Sequence, residues 1–493
     1  MKAEKEKMVD SKTIVQSTKW SAVSEVLAKI ASPLANIILA RLLAPEVFGL
    51  VASFTVVTTF AEVFTDAGFQ KFIVQHNFES KEKLYDYTTV AFWTNMMFSI
   101  AIWFAIFLFR EPISVFIGSP GYGTEVATLS LLIPVHALSS IQNALYRREF
   151  RFKQLVPIRF VSSIMPLVVT IPCAIVFKNV WAIIVGNLAK ELVAAVLLTC
   201  NSSWKPKLFY KLSYLKNMLS DCLWLLGDSL MIWVTSYASV FIINRYLDSY
   251  YTGIFRTGVN TIQPYLNLIF IITSPVLFSA LSRLQNNKEE CDKVFLDYQK
   301  FASYIVVPMG VFVFIYRDLV TAILLGSDWK EASLLVGCSG LALPFVILIG
   351  QYNSVYFRAM GKAKIAMTVQ GIYAVVMIIL LLFAMQYSFE FLSVVGGLYP
   401  LTYSIISLIG LKISFKFKIS KVVCVLIPSI ISSVVAGVLS YAIMNFFSDA
   451  IWWQIICAAI ACLVYLIVLM CIPQSRKAIV NMDVLKKIRE VRK

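Results

Sequence analysis

The sequence predicts an all-α membrane protein of fourteen transmembrane helices, two six-helix lobes followed by two further C-terminal helices. Three observations carry this: the composition, a series of apolar runs of spanning length, and a set of motifs written twice in the same order. Of 493 residues, 59% are hydrophobic and only 15% are charged, where soluble domains carry roughly 25% charge. The first residues, MKAEKEKMVDSKTIVQSTKW, are polar and lack a short apolar core with a small-residue cleavage site, so no cleavable leader is expected.

Runs of about 20 apolar residues suffice to cross the hydrocarbon core. They fall near 14–41, 46–69, 85–109, 125–146, 154–177, 179–200, 217–244, 250–282, 295–316, 331–357, 364–387, 390–414, 421–446 and 450–472. An even number places both termini on one side. With the N-terminus cytoplasmic, 32 of the 44 Lys and Arg lie in cytoplasmic ends and loops. Six lie outside (Arg41, Arg110, Lys178, Arg245, Arg317 and Lys330) and six within spans. That asymmetry sets the orientation. It also accounts for the net charge of +16 without a basic domain, so nucleic acid is not an expected partner.

The chain repeats itself. ARLLAPEVFGLV (40–51) returns as NRYLDSYYTGIF (244–255), pairing Arg41 with Arg245, Leu43 with Leu247 and Gly49 with Gly253. REPISVFIG, from Arg110, returns as RDLVTAILLG, from Arg317. PVHALSSIQNALYRR (134–148) returns as PFVILIGQYNSVYFR (344–358), pairing Pro134/Pro344, Asn143/Asn353, Tyr146/Tyr356 and Arg148/Arg358. The offsets, 204, 207 and 210, grow slowly, as an old duplication with small insertions requires. The unit is six spans, so both copies keep one orientation, the parallel-repeat class of transporter. The expected division is an N-lobe over 1–204, a C-lobe over 205–419, and a C-terminal pair with a basic cytoplasmic tail over 420–493.

Several spans carry polar side chains at steps of three and four, which share a helix face. Span 1 has Glu25 and Lys29, span 2 Thr55, Thr59, Glu62 and Asp66, and span 4 His136, Ser140, Asn143 and Arg147. Span 7 has Asn217, Asp221, Asp228, Thr235 and Ser239, and span 8 Arg256, Asn260, Gln263, Asn267 and Ser274, with Pro264 inside it. Polar groups also glue helices together, and for any one residue that reading is as good. Taken as a set, on the first two spans of both lobes, the stripes predict a hydrated cavity between lobes, because an ionisable group facing lipid costs several kcal/mol. Lys29, Arg256, Arg159 and Lys190 are the cations that can neutralise phosphate, with Asn260 and Gln263 beside Arg256 as further substrate contacts. Glu25, Glu62, Asp66, Asp221 and Asp228 are the candidates for coupling to H⁺ or Na⁺.

Other chemistries lack their residues. There are two histidines, far apart in sequence, so no histidine-rich metal site is expected; no resident metal or other cofactor is expected. No G-x-x-x-x-G-K-[ST] phosphate loop is present, so the chain carries no ATPase, and the loops are too short for an enzyme domain.

The stretch ARLLAPEVFGLVASFTVVTTFAEVFTDAGFQKFIVQ (40–75) resembles the opening of bacterial polysaccharide-unit flippases of the O-antigen and teichuronic-acid type. These belong to the multidrug/oligosaccharidyl-lipid/polysaccharide exporter superfamily. Asp66 and Gly68 supply the acid and glycine that precede FIVQ in that pattern. The resemblance implies a MATE-like fold, a place in the bacterial cytoplasmic (inner) membrane and a transport activity rather than an enzymatic one. It implies translocation of an undecaprenyl-diphosphate-linked oligosaccharide by alternating access, driven by an ion gradient or the membrane potential. Membrane lipid, and glycosyltransferases and a polysaccharide polymerase acting on the same glycan, are the partners implied. A drug/cation antiporter of the same superfamily is the nearest alternative, and a membrane polymerase or ligase a more distant one.

Overall fold

The computed structural model describes residues 34–472, apart from 67–68, 77, 150 and 448–450. The described residues contain no strand. A helical segment over 34–42 leads into α1 (Pro45–Asp66), α2 (Phe69–Gln75), α3 (Lys81–Leu108), α4 (Arg110–Phe116), α5 (Gly123–Leu129) and α6 (Leu132–Arg148). α7 (Phe152–Met165) passes through a π-helical turn (Pro166–Thr170) into α8 (Ile171–Phe177), followed by α9 (Val180–Asn201) and α10 (Leu212–Tyr246). Next come α11 (Ser249–Arg283), α12 (Lys288–Ile315), α13 (Arg317–Leu324) and, after a 3₁₀ turn, α14 (Ser333–Phe345). A second π turn (Val346–Gln351) joins α14 to α15 (Tyr352–Ala359), and α16 (Ala363–Ala384), α17 (Phe389–Leu398), α18 (Leu401–Phe415), α19 (Ile419–Phe447) and α20 (Ile451–Cys471) complete the order.

Twelve stretches among the described residues are long and apolar enough to cross a membrane, and they match the expected spans 2–6 and 8–14. Span 1 lies mostly outside the described residues. Span 7 corresponds to α10, whose 35 residues reach about 52 Å at 1.5 Å per residue. The chain divides into two compact units between Gly253 and Ile254, so α10 packs with the first unit.

The repeat is visible in the backbone. Ser80 caps α3 by accepting from the Lys83 N–H, and Asn287 caps α12 by accepting from that of Glu290. Asn179 caps α9 and Ser388 caps α17 in the same way. Each side-chain oxygen satisfies an amide that the helix leaves unpaired. The corners after α3 and α12 also coincide, with Phe109 at φ −100°, ψ 24° and Tyr316 at φ −99°, ψ 28°. The arginine that follows lies over the aromatic ring three residues back, Arg110 over Phe107 at 5.1 Å and Arg317 over Phe314 at 5.9 Å. The acid after it serves the next helix: Asp318 accepts from the Ser333 hydroxyl at the start of α14, and the Glu111 carboxylate lies against Gly123 at the start of α5. A carboxylate there complements the positive end of the helix dipole. Both echoes end on glycines at positive φ, Gly118 at +78° and Gly326 at +107°.

The corner glycines allow a close crossing. A Cβ on Gly49 would sit 1.7 Å from the Ser249 carbonyl oxygen, and one on Gly253 would sit 1.9 Å from that of Pro45. Equivalent turns of the two copies therefore meet backbone to backbone, as small residues spaced by four permit. Asn244 braces this crossing. Its amide donates to the Ile117 carbonyl (2.6 Å) and to Ser119 Oγ (3.1 Å), and its oxygen accepts from Thr252 Oγ1 (3.2 Å).

The Asn-x-x-Tyr-x-Arg motif ends α6 and α15 but is used differently in each. Arg148 donates to the carbonyls of Ile73 (2.6 Å) and His76 (2.7 Å) and stacks over Phe78. It thereby caps the C-terminal end of α2, whose last carbonyls have no partner within the helix. In the second copy Arg358 is exposed, and it is Tyr356, fully buried, that donates to Asp292 (2.7 Å).

Single spans differ from expectation at prolines. Span 4 breaks at Ser130–Leu131, two residues before Pro134 is reached in α6. The two π turns begin at Pro166 and two residues after Pro344. A proline removes one ladder donor and crowds the carbonyl four residues back, and an added residue in the turn relieves that crowding. Around Pro264 the helix is continuous.

Replacing Gly49 by Val is expected to destabilise the protein by about 1–3 kcal/mol through overpacking. A lower apparent melting temperature in detergent checks this; an unchanged one denies the close crossing. Arg148→Ala is expected to raise hydrogen exchange across residues 69–76 about tenfold or more, equivalent to about 1.4 kcal/mol, read by mass spectrometry.

Candidate functional site

In the first unit several of the polar stripe residues are joints between helices. Trp233 Nε1 on α10 donates to Thr59 Oγ1 on α1 (3.1 Å), and Thr59 itself donates to the Thr55 carbonyl. Asn95 on α3 donates to Ser140 on α6 (2.9 Å), both buried. Gln142 on α6 donates to Thr199 on α9 (3.0 Å). Neither Asn95 nor Gln142 belongs to the expected stripes.

Other predicted residues in this unit hold charge. Arg159 lies on α7 and Glu62 on α1, both half-buried. Lys190 on α9 comes within 3.9 Å of its neighbour Glu191, whose other carboxylate oxygen is 3.7 Å from His136 Nδ1 on α6. Asp66 is the last residue of α1, and Asp221 and Asp228 lie two turns apart on α10. Glu25 and Lys29 lie outside the described residues. The predicted cations are thus divided, Arg159 and Lys190 in the first unit and Arg256, with Asn260 and Gln263, in the second.

In the second unit Arg256 and Tyr399 interact, and Tyr399 lies between α17 and α18. Tyr399 shares a hydrogen bond with Tyr373 on α16, their rings stacked with centroids 6.3 Å apart. Tyr373 in turn meets Tyr403 on α18 at 5.2 Å. The Tyr403 ring occupies the space that a side chain at Gly350, in the π turn, would need. A cation and three phenols on four elements make a group that is flat and apolar on its ring faces and hydrogen-bonding at its rim. The tyrosines were not legible beforehand, because they lie in two separate apolar runs that only packing brings together.

α11 has a second, opposite face. Arg256, Asn260, Gln263 and Asn267 follow one another at steps of four, three and four and share a stripe. Ile262, Tyr265 and Leu266 point the other way and line a cavity of about 760 Å³. Its remaining wall comes from α12, α13, α19 and α20, through residues such as Pro308, Phe312 and Leu466. This cavity has almost no polar surface. Among the described residues no group of three His, Cys, Asp or Glu could hold a metal ion.

Comparisons with known proteins agree with this picture. Succinoglycan biosynthesis transport protein ExoT of Rhizobium meliloti (strain 1021) is 21% identical over 369 residues, covering 72% of this chain and 73% of its own. Lipopolysaccharide biosynthesis protein WzxC of Escherichia coli (strain K12) is 23% identical, covering 64% of each chain. Among solved structures, the lipid II flippase MurJ in an inward closed conformation superposes with a TM-score of 0.73 at 16% identity, covering 92% of this chain and 98% of its own. An inward-facing multidrug resistance MATE transporter of the MOP superfamily superposes with a TM-score of 0.61 at 14% identity, covering 79% and 97%. These superpositions establish the fold. The profile of one family, described as polysaccharide biosynthesis protein, matches residues 38–334. With more than half of its length matched, this chain belongs to the polysaccharide biosynthesis protein family, on the fold of MurJ and the MATE transporters.

Proposed function

We propose that this protein is a flippase for a lipid-linked oligosaccharide, moving an undecaprenyl-diphosphate-linked repeat unit from the cytoplasmic to the outer leaflet of the bacterial cytoplasmic membrane. The movement is by alternating access, powered by an ion gradient or the membrane potential. Both termini lie in the cytoplasm, and glycosyltransferases and a polymerase act on the same glycan before and after it. Family membership supports this reading, as do relatives named for transport in succinoglycan and lipopolysaccharide biosynthesis and a fold shared with a lipid II flippase.

The observation that carries it is the two-faced helix α11. A diphosphate and its sugars cannot shed water into hydrocarbon without replacement partners. Arg256 supplies a cation that stays charged and forked hydrogen-bond donors, and the tyrosines beside it supply flat faces and hydroxyls. The opposite face of the same helix borders an apolar cavity suited to a prenyl chain. One helix thus presents polar and apolar surface at the same depth, as an amphiphile demands. A small hydrophilic cation gains nothing from Arg256, which argues against drug/cation antiport.

Purified protein in liposomes containing a fluorescent undecaprenyl-diphosphate oligosaccharide tests this. Arg256→Ala is expected to slow flipping tenfold or more, about 1.4 kcal/mol or more on the barrier, and Arg256→Lys to retain part of the rate. Lys29→Ala should also slow it. Wild-type rates in a correctly inserted Arg256→Ala protein remove the phosphate site, and absence of flipping by the unmutated protein removes the function.

A further inference from the structure

His136 and Glu191 come from helices 55 residues apart in sequence and meet at one depth. His136 is near the middle of the span Gly123–Arg148, and Glu191 near the middle of Val180–Asn201. They are 3.7 Å apart, beyond hydrogen-bond length and within ion-pair range. His136 is 38% and Glu191 27% exposed, so neither is sealed within the packed helices. Ionisable groups at that depth do not face lipid without large cost.

Neutralising Glu191 does not require the histidine. Lys190 is already within 3.9 Å, and one cation balances one carboxylate. The histidine adds the one side chain whose charge changes near neutral pH. Protonation of that imidazole would take the Lys190–Glu191–His136 group from net charge zero to plus one. Other charges around it are sparse. α3 has no Asp, Glu, Lys, Arg or His beyond Asp86, and the π turn and α8 have none. α1 carries Glu46, Glu62 and Asp66, α5 Glu125, α7 Lys153 and Arg159, α2 Lys71 with His76 just after its end, and α6 ends in Arg147 and Arg148. The charges that act on Glu191 are those of His136 and Lys190.

The helices holding the pair also sit beside a place where the backbone can yield. The π turn Pro166–Thr170 packs against α9, and a Cβ on Gly186, five residues before Glu191, would lie 1.7 Å from Thr170 Oγ1. π turns inside helices concentrate at functional sites. A pair just outside hydrogen-bond length, on helices packed against such a turn, changes its attraction steeply with small shifts of α6 against α9.

We propose that His136 and Glu191 form a proton-binding site in the first unit, and that its loading and release couple a proton gradient to transport. This rests on the flippase reading for its coupling role, while proton binding is measured independently of it. It names a site outside the carboxylates that the sequence alone marked for coupling.

The test uses the full chain in lipid nanodiscs with ¹⁵N-labelled histidine. The chain has two histidines, so in a His76→Gln background the remaining signal is that of His136. It is expected to titrate between about pH 5 and 8, and its midpoint to move by tenfold or more in proton concentration when Glu191 is replaced by Gln. A midpoint that stays put in Glu191→Gln, or a His136 that never titrates, overturns the site. In liposomes, an imposed pH gradient is expected to change the flipping rate of wild type severalfold and to leave that of His136→Gln and Glu191→Gln unchanged. Equal gradient response in wild type and both variants overturns the coupling role. If wild type flips no lipid-linked oligosaccharide, the transport reading fails, and with it the coupling role; the titration alone then decides the proton site.

Discussion

The constraint on which the rest of this structure depends is that backbone amides and carbonyls inside hydrocarbon must find partners within the protein. A chain with this much apolar sequence answers it with helices, and the informative places are those where the helices stop or break. At several of them a specific side chain takes over. Ser80, Asn179, Asn287 and Ser388 cap helix starts. Arg148 collects the carbonyls at the end of α2. Asn244 pairs the exposed carbonyl of Ile117 where a glycine at positive φ turns the chain. Where two helices cross too closely for side chains, Gly49 and Gly253 leave the space empty, and carbonyl oxygens of the opposite turns fill it.

These same places explain why the duplication could be read from residues alone. The echoes are not spread over the spans, whose apolar residues exchange freely as long as volume and polarity are kept. They fall at corners, where a charge, a cap or a glycine has a defined geometric task. The acid in Arg-Glu and Arg-Asp is one instance: its role at the start of the next helix is invisible in sequence, yet its position relative to the preceding corner is kept in both copies. The twelve spans among the described residues were legible from length and apolarity. The breaks at Ser130–Leu131 and at the π turns were not, because proline marks a weak point without saying whether the helix bends, widens or continues. α11, continuous through Pro264 and Pro275, shows the last outcome.

Candidate residues were legible to the extent that they form stripes on one helix. Arg256, Asn260, Gln263 and Asn267 are such a stripe, and in the structure Arg256 acts on Tyr399, which belongs to a group of tyrosines. Those tyrosines come from different helices, and no period within one helix reveals them. Glu191 was missed for the same reason: it belongs to no stripe, and only the packing of α6 on α9 brings His136 to it. Ser140 and Thr59 show the converse. They sit on stripes, but their hydroxyls join helices, which is the ordinary use of small polar residues in membranes.

Arg256 in the second unit and His136 in the first carry different kinds of charge, and on the proposed transport reading the difference has a use. A guanidinium keeps its proton at any pH the cell meets, so Arg256 offers a constant attraction to an anion and cannot itself release it in response to protons. An imidazole beside a carboxylate does the opposite: its charge is conditional, and its attraction for anything nearby is conditional with it. A carrier that must both hold a diphosphate and let it go needs a grip that does not depend on pH and a control that does. On the proposed reading, placing hold and control on side chains of different chemistry would let each be strong without defeating the other. A single titratable cation serving both tasks would lose its hold on the substrate whenever it released its proton.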